Sequence, residues 1–187
     1  MGARIRATFG DPALLSAIDL GCGPVETPIA RGVFELPWRR LVSVELFPPY
    51  LEKLRAKQPG AAEHEILAME IGHAIDTLPP GSIDVALMID VLEHQTRRRA
   101  LDLLVRLERV VRRGVVLFSP VGDVPQDALD GNELQRHRST WHAEDWLRLG
   151  YDVEHYEAFH GHLDPPADAA WAIKRIGIQP QMTRMTD

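Results

Sequence analysis

Two glycines and two carboxylates stand where short apolar segments of the chain end. The segment AIDLGCGPVETP carries Asp19 in its apolar run, followed by Gly21 and Gly23. Glu45 ends the next apolar segment, LVSVE. Glycine lets the backbone bend tightly and lets a ligand approach it closely. A carboxylate meets a positive charge or accepts hydrogen bonds from a ribose diol. These residue types at this spacing indicate a site for a nucleoside-containing ligand.

The glycine pattern is incomplete for a pyrophosphate. A dinucleotide-binding turn reads G-x-G-x-x-G, whereas this chain reads GCGPVE, with Glu26 in place of the third glycine. A carboxylate beside a pyrophosphate is repulsive, so we expect a ligand without phosphates. The alternative is an enzyme with a dinucleotide-binding fold that uses NAD or a nucleotide sugar, and Glu26 argues against it.

Short apolar segments alternate with helix-like segments along most of the chain. The predicted strands are 17–20, 41–45, 65–69, 83–89, 115–118, 152–159 and 169–176, and the predicted helices are 27–34, 49–57, 98–111 and 142–149. This alternation predicts an α/β fold with three layers, α/β/α, around a Rossmann-like, doubly wound sheet of seven strands. The last two strands have no helix between them, so we expect a mostly parallel sheet with an antiparallel hairpin at one edge. Ligands of such sheets bind beyond the carboxyl ends of the strands.

The composition excludes several classes of partner. The chain has 187 residues, a formal net charge of −6 and a pI near 5.7, which argues against a nucleic-acid partner. No apolar run approaches the roughly 20 residues that span a bilayer, so no membrane partner is expected. Cys22 is the one cysteine, which rules out an internal disulfide and fits a cytoplasmic location.

The pattern predicts one domain over residues 1–187. Its core is expected at 17–176, after a short leading segment (1–16) and before a tail (177–187). The length is sufficient for one domain with a layered core.

Three segments together resemble a known family. AIDLGCGP, VSVEL and SIDVALMIDVLEH are similar to the motifs of class I S-adenosylmethionine (SAM)-dependent methyltransferases, closest to the small-molecule type (methyltransferase types 11 and 12). The resemblance covers about residues 17–176. It implies transfer of a methyl group from SAM to an O, N or C atom of a small-molecule acceptor, with S-adenosylhomocysteine (SAH) as product.

The resemblance also implies roles for individual residues. The implied cofactor-binding residues are Asp19, Gly21, Cys22, Gly23, Glu45, Leu46, Met69, Glu70, Ile71 and Asp90. Among them, Glu45 would hold the ribose hydroxyls, Leu46 would pack on the adenine, and Asp90 would lie beside the transferred methyl group.

This sequence departs from the family pattern in two places that bear on function. Val25 stands where the family often has a third glycine, and few residues precede the first motif, so a lid over SAM is expected to be short or missing. A homodimer or a partner subunit would then supply the lid. The alternative function is a SAM-binding partner protein or a degenerate methyltransferase without its own turnover.

Two histidines are candidate general bases. His94 follows the fourth strand, near the expected methyl group, and His137 lies in the loop after the fifth strand. Histidine titrates near neutral pH, which suits proton transfer from an acceptor. His94 could equally cap the following helix without touching substrate.

The loop with His137 also carries candidate substrate contacts. Arg136 and Arg138 could hold a carboxylate or phosphate of the acceptor, and Trp141 could stack on it. The alternative is a solvated loop whose tryptophan packs under a helix.

No metal site is predicted. His155, His160, His162 and Asp164 lie close together in sequence, but no cysteine or carboxylate pattern completes a zinc site.

Overall fold

The computed structural model describes residues 2–161, 163 and 165–177. The strands are β1 (Ser16–Leu20), β2 (Arg40–Glu45), β3 (Glu63–Ala68), β4 (Ile83–Ile89), β5 (Val111–Val121), β6 (Asp152–His160) and β7 (Ala167–Arg175). The α-helices are α1 (Gly2–Phe9), α2 (Pro28–Phe34), α3 (Pro48–Arg55), α4 (Ile71–Thr77), α5 (Arg97–Val110) and α6 (Ala143–Arg148).

The seven strands form one sheet in the order β3-β2-β1-β4-β5-β7-β6. Strands β1 to β5 pair in parallel, and β7 runs antiparallel to both β5 and β6. The predicted doubly wound, mostly parallel sheet with an antiparallel edge hairpin is therefore confirmed. The chain moves outward from β1 to β3 and returns to β4 beside β1, so the order reverses between β1 and β4.

Helices cover both faces of the sheet and make the three predicted layers. Phe34 of α2 and Leu54 of α3 pack on one face, whereas Leu103 of α5 and Trp146 of α6 pack on the other. Strand β4 contributes alternate side chains to the two cores, and all seven of its residues are buried. This explains why its sequence is apolar at nearly every position.

Local signals set several helix ends. The Thr27 hydroxyl accepts a hydrogen bond from the Ala30 amide (3.2 Å), and Thr96 caps α5 in the same way. Gly150, just after α6, has a φ of +83°, as expected for a glycine that ends a helix. In the described part of the chain, no helix has both the length and the apolar content needed to cross a bilayer.

The structure differs from the sequence-based elements in three places. Helix α4 was not predicted, because it is short and contains Gly72, a poor helix former. Strand β5 extends from Val111 to Val121, well beyond the apolar core of 115–118, because Val111 pairs with β4 and the antiparallel pairing with β7 runs from Gly114 to Val121. Part of the leading segment 1–16 forms α1. The tail from 178 onward lies outside the described residues.

A buried carboxylate at the amino end of the sheet joins three strands. Asp84 of β4 accepts hydrogen bonds at Oδ2 from the amide and the hydroxyl of Ser16 (both 2.8 Å), and at Oδ1 from Arg112 Nε (3.1 Å). Its side chain is 8% exposed. Burial raises the pKa of Asp84, but the bonds from Ser16 and Arg112 outweigh it and hold the pKa below its ordinary value.

Replacing this carboxylate should destabilise the fold. Asp84→Ala is expected to lower the free energy of unfolding by about 2–4 kcal/mol near pH 7, because the buried Ser16 amide and hydroxyl lose their acceptor. Urea denaturation measures this. A group with a depressed pKa stabilises the fold above its unfolded pKa, so the difference should shrink below about pH 4. Asp102→Ala, which removes an exposed partner of Arg106, is the matched control and should cost less than about 1 kcal/mol. Equal losses in the two variants would contradict the role of Asp84.

Candidate functional site

A cavity of about 340 Å³ opens at the carboxyl edge of the sheet, where the strand order reverses. From the ends of β1 to β4, its wall contains Gly21, Glu45, Leu46, Met69, Glu70, Ile71, Asp90 and Val91. From the start of α5 and the loop after β5, it contains His94, Gln95, Thr96, Arg99, Asn132, Leu134, Gln135 and Arg138. The volume lies within the range of small-molecule sites.

The Glu45 carboxylate joins the loops after β1 and β2. Its Oε2 accepts a hydrogen bond from the Gly23 amide (3.0 Å). Its Oε1 accepts from the amides of Leu46 (2.8 Å) and Phe47 (2.7 Å). Glu45 is 7% exposed, and it still forms part of the cavity wall. One carboxylate therefore holds two loops in register at the edge of the cavity.

The glycine loop after β1 bends back over β2. Gly21 and Gly23 both have positive φ angles, and the Val44 carbonyl accepts hydrogen bonds from the amides of Gly21 (2.9 Å) and Cys22 (3.1 Å). A Cβ atom on Gly21 would lie 3.1 Å from a methyl group of Val91. Val25, in place of the third glycine, also has a positive φ (+55°), which is strained for a β-branched residue. Gly21 lines the cavity, whereas Gly23 lies behind Glu45.

Asp19 and Cys22 lie beneath the cavity wall. Asp19 is 1% exposed, and its Oδ1 is buried without a hydrogen-bond partner. Burial and, less strongly, the charge of Glu45 raise the pKa of Asp19 to about 7. Burial likewise raises the pKa of the Cys22 thiol well above its ordinary value. Cys22 is therefore a neutral packing residue here, and neither side chain reaches the cavity surface.

The loop after β3 brings an acid to the cavity rim, where a basic residue of α5 pairs with it. Met69, Glu70 and Ile71 all line the cavity. Glu70 Oε2 caps α4 by accepting from the amides of Gly72 (2.9 Å) and His73 (3.2 Å). Glu70 Oε1 accepts from Arg99 Nη2 (2.6 Å). The acid predicted for this position is thus already engaged in capping and in an ion pair.

Asp90 adopts a strained backbone at the end of β4. Its φ is +52°, and its Oδ1 is buried without a hydrogen-bond partner although Asp90 lines the cavity. Non-glycine residues in this conformation cluster at functional sites. Burial raises the pKa of Asp90. Burial and the charge of Asp90 also raise the pKa of Glu93, whose Oε2 accepts from the Ser119 hydroxyl (2.9 Å).

The two candidate bases lie side by side. The ring centroids of His94 and His137 are 5.0 Å apart. His94 lines the cavity, and burial, together with His137, lowers its pKa to about 4. His137 is behind it, with Nδ1 hydrogen-bonded to the Val124 carbonyl, and burial lowers its pKa as well. Both rings are therefore neutral near pH 7.

The loop after β5 forms the outer wall of the cavity. Its backbone is fixed to the turn after β4, because the amides of Arg138 (2.7 Å) and Ser139 (3.1 Å) donate to the Glu93 carbonyl. The Tyr50 hydroxyl of α3 donates to Asp130 of the same loop (2.9 Å). The loop is therefore fixed both to the turn after β4 and to helix α3. Helix α1 lies elsewhere, with Arg4 bonded to Glu154 of β6.

Two predicted substrate residues are placed away from the cavity. Trp141 is 1% exposed, stacks on Trp146 and donates from Nε1 to the Ser139 hydroxyl (2.9 Å). Trp141 therefore packs under helix α6, as in the alternative that the sequence left open, and has no free ring face for an acceptor. Arg136 points outward and pairs with Asp127 and Glu133. Of the three predicted side chains, Arg138 is the one in the cavity wall.

The four-residue histidine and aspartate group considered for zinc is only partly described. His155 pairs with Asp168 (2.9 Å) at the exposed edge of the sheet. His162 and Asp164 lie outside the described residues.

The sequence matches a family profile across the strands that build this cavity. A profile described as a methyltransferase domain matches residues 18–119, more than half of the chain. The chain belongs to this methyltransferase family. SAM is the cofactor of the family.

Solved methyltransferases share the fold at low sequence identity. One is a SAM-dependent methyltransferase from Archaeoglobus fulgidus (TM-score 0.60, 17% identity, 92% of both chains covered). Another is 1,6-didemethyltoxoflavin-N1-methyltransferase from Burkholderia thailandensis, solved with 1,6-didemethyltoxoflavin and SAH bound. Its TM-score is 0.61 and its identity 18%, over 93% of this chain and 75% of that chain. A third is mitomycin 7-O-methyltransferase, with a TM-score of 0.57 and 19% identity over 93% of this chain and 52% of that chain. A search of the curated proteins found no match.

Sequence reasoning missed part of the methyltransferase cavity. Gln95, Thr96 and Arg99 line it from the start of α5, and Asn132 and Gln135 line it from the loop after β5. The signal for the first group was its position directly after DVLEH. For Asn132 and Gln135, the sequence shows a stretch rich in hydrogen-bond donors, but the path of the folded loop determines which of its side chains face the cavity.

The role of Glu45 in holding the methyltransferase loops can be tested directly. Glu45→Gln replaces one of the two carboxylate oxygens with an NH2 group that cannot accept, so one of the two loops loses its hydrogen bonds to this side chain. We expect SAH affinity, measured by calorimetry, to fall about 10- to 100-fold. Glu52→Gln, on the exposed side of α3, is the matched control and should bind SAH normally. Unchanged SAH affinity in Glu45→Gln would contradict this role.

The neutrality of His94 is testable by NMR. Because burial lowers its pKa to about 4, its ring signal, identified with His94→Gln, should stay constant from about pH 8 to about pH 5.5. Between about pH 6.5 and about pH 4 the unfolded chain binds this proton more tightly than the folded one, so the free energy of unfolding should decrease as the pH falls through this range. A titration midpoint near the ordinary 6.5 would show that the ring is solvated.

Proposed function

We propose that this chain is a SAM-dependent methyltransferase that transfers the methyl group to a small-molecule acceptor. The observation that carries the proposal is the meeting of Glu45 and Asp90 with the glycine loop at one cavity, at the point where the strand order reverses. Ligands of doubly wound sheets bind at this point. Family membership makes SAM the expected occupant.

The described residues fit SAM in charge. The carboxyl oxygens Oδ1 of Asp19 and Asp90 are buried without partners, and Glu45 and Glu93 lie close to them. A ligand with an ammonium and a sulfonium group compensates such a concentration of acids, because buried charges require a partner.

The residues also fit SAM in shape. Gly21 has no side chain, so its loop packs closely against Val91, and both residues line the part of the cavity that we assign to the methionine part of SAM. Glu45 lies at the cavity edge to accept from the ribose hydroxyls. Leu46 is 43% exposed and lines the cavity, so it offers an apolar surface to the adenine.

The same loop is unsuited to a pyrophosphate. The Gly23 amide donates to Glu45 and is not available to a phosphate oxygen. Glu26 lies close by and pairs with Lys53. These contacts support the phosphate-free ligand that the sequence predicts.

When bound, SAM supplies an activated methyl group on a sulfonium. The chain's task is then to hold the acceptor in line with that group and to exclude water, which accounts for up to roughly 7–11 kcal/mol in well-oriented reactions. Arg138, Asn132 and Gln135 line the cavity from the outer loop and are the candidates to orient the acceptor. His94, which is neutral near pH 7, lines the cavity on the same side.

A small acceptor agrees with the size of the cavity and with the relatives. The outer wall is one loop rather than a separate substrate-binding module in the described residues. Two of the solved relatives carry names of methyltransferases for small molecules. The homodimer or partner subunit and the cytoplasmic location stay predictions.

Calorimetry and turnover test the proposal together. We expect SAM and SAH to bind with micromolar affinity and NAD to show no heat of binding. Release of SAH in the presence of acceptors from a metabolite panel would then demonstrate transfer. Tight binding of NAD without a response to SAM would overturn the proposal. SAM binding without turnover on any acceptor would favour the alternative, a SAM-binding partner protein.

A further inference from the structure

We infer that Glu93, His94 and His137 form a binding site for a divalent transition-metal ion beside the cavity. One ligand atom from each of these residues lies within 4.8 Å of the other two. Glu93 and His94 are buried and His137 is half-buried. His94 forms part of the cavity wall, so an ion held by the three residues would face the space assigned to the acceptor.

The fold fixes these three residues relative to one another. Glu93 and His94 belong to a short 3₁₀ turn, Leu92–His94, directly after β4. His137 comes from the loop after β5, whose following amides at Arg138 and Ser139 donate to the Glu93 carbonyl. The cluster is therefore built by two backbone hydrogen bonds and does not depend on flexible surface side chains.

Hydrogen bonding leaves the imidazoles ready to act as ligands. The Val124 carbonyl accepts from His137 Nδ1, which places the proton on that nitrogen and leaves the lone pair on Nε2. Metal-binding histidines are oriented by such a carbonyl contact at the other ring nitrogen. His94 is 8% exposed, and its Nδ1 is buried without a hydrogen-bond partner.

The carboxylate lacks a cationic partner in the described part of the chain. The side-chain partner of Glu93 is the neutral Ser119 hydroxyl, and Asp90 Oδ1 has none. Buried charges in proteins are paired or coordinate metals. A divalent ion would compensate Glu93.

The donor set selects the kind of metal. Two imidazole nitrogens and one carboxylate oxygen, with open positions, suit Mn²⁺, Fe²⁺, Co²⁺ or Zn²⁺. Mg²⁺ and Ca²⁺ prefer oxygen ligands and should bind more weakly.

The site also implies a class of acceptor, and this step rests on the proposed function. An ion here has open positions toward the cavity, which suit an acceptor hydroxyl or two adjacent oxygens. The bound hydroxyl loses its proton to solvent water, because a metal ion lowers the pKa of a coordinated oxygen. The oxygen then forms the bond to the methyl carbon as the carbon–sulfur bond breaks, and neutral SAH leaves. The acceptor would thus be an oxygen nucleophile.

Metal titration of the intact chain tests the site. After EDTA treatment and removal of the chelator, Mn²⁺, Zn²⁺ and Mg²⁺ are titrated by calorimetry, and Co²⁺ by visible absorption. We expect one transition-metal ion per chain and much weaker binding of Mg²⁺. His137→Gln and Glu93→Gln should each weaken Mn²⁺ binding by about 100-fold. His155→Gln, at the exposed sheet edge, is the matched control and should bind Mn²⁺ as the unaltered chain does.

Each outcome decides the inference separately from the proposed function. If the wild-type chain binds SAH but no transition metal, the metal site is overturned and the proposed function is not. Unchanged Mn²⁺ affinity in both Glu93→Gln and His137→Gln has the same consequence. Metal binding by chain that does not bind SAH supports the site and overturns the proposed function. Thermal melting of each variant without metal shows whether it is folded. If one variant is unfolded, the other variant and the wild-type stoichiometry still decide the question.

Discussion

The carboxylate of Glu45 is the interaction on which the rest of the site depends. It accepts hydrogen bonds from the amide of Gly23 in the loop after β1 and from the amides of Leu46 and Phe47 in the loop after β2. These loops leave neighbouring parallel strands at the same edge of the sheet, and a single side chain fixes their spacing. Because charged acceptors make the stronger hydrogen bonds of proteins, the glycine loop keeps its shape without a ligand present.

A second constraint is the concentration of acids at this edge. Asp19, Glu45, Asp90 and Glu93 lie in or directly under the cavity wall, and the pKa values of Asp19, Asp90 and Glu93 are raised. Burial is the main cause in each case, and a neighbouring carboxylate adds to it at Asp19 and Glu93. Such an arrangement is unfavourable in the free protein. A cationic ligand relieves it, which connects the electrostatics of the chain to the positively charged methyl donor of its family.

The loop after β5 combines two features that the sequence also assigned to one loop, cavity contacts and His137. It forms the outer wall of the cavity through Asn132, Gln135 and Arg138, and it carries His137 to the turn that holds His94. Both depend on the hydrogen bonds from its backbone to the Glu93 carbonyl. A change in the path of this loop would therefore alter acceptor contacts and the histidine pair together.

Much of the fold, and the strand-end residues that line the cavity, could be predicted from the sequence. The strand at 83–89 is identified by continuous apolar character, and the helix at 28–34 by Thr27 and Pro28 at its start. Glu45 and Asp90 could be placed because the ends of parallel strands meet at one edge. The short helix at 71–77 was missed, since its stability comes from the Glu70 cap and packing rather than from propensity.

The wall that the loop after β5 contributes was decided by tertiary structure. Trp141 and Arg138 are both candidate substrate contacts from the sequence. In the structure, Trp141 is buried against Trp146, whereas Arg138 lines the cavity. The approach of His137 to His94 likewise follows from long-range hydrogen bonds. The sequence by itself determined the sheet and which strand ends line the cavity, because periodicity and strand ends are local properties of the chain. The direction of each loop side chain was left to the folded structure, because it depends on contacts between residues far apart in sequence.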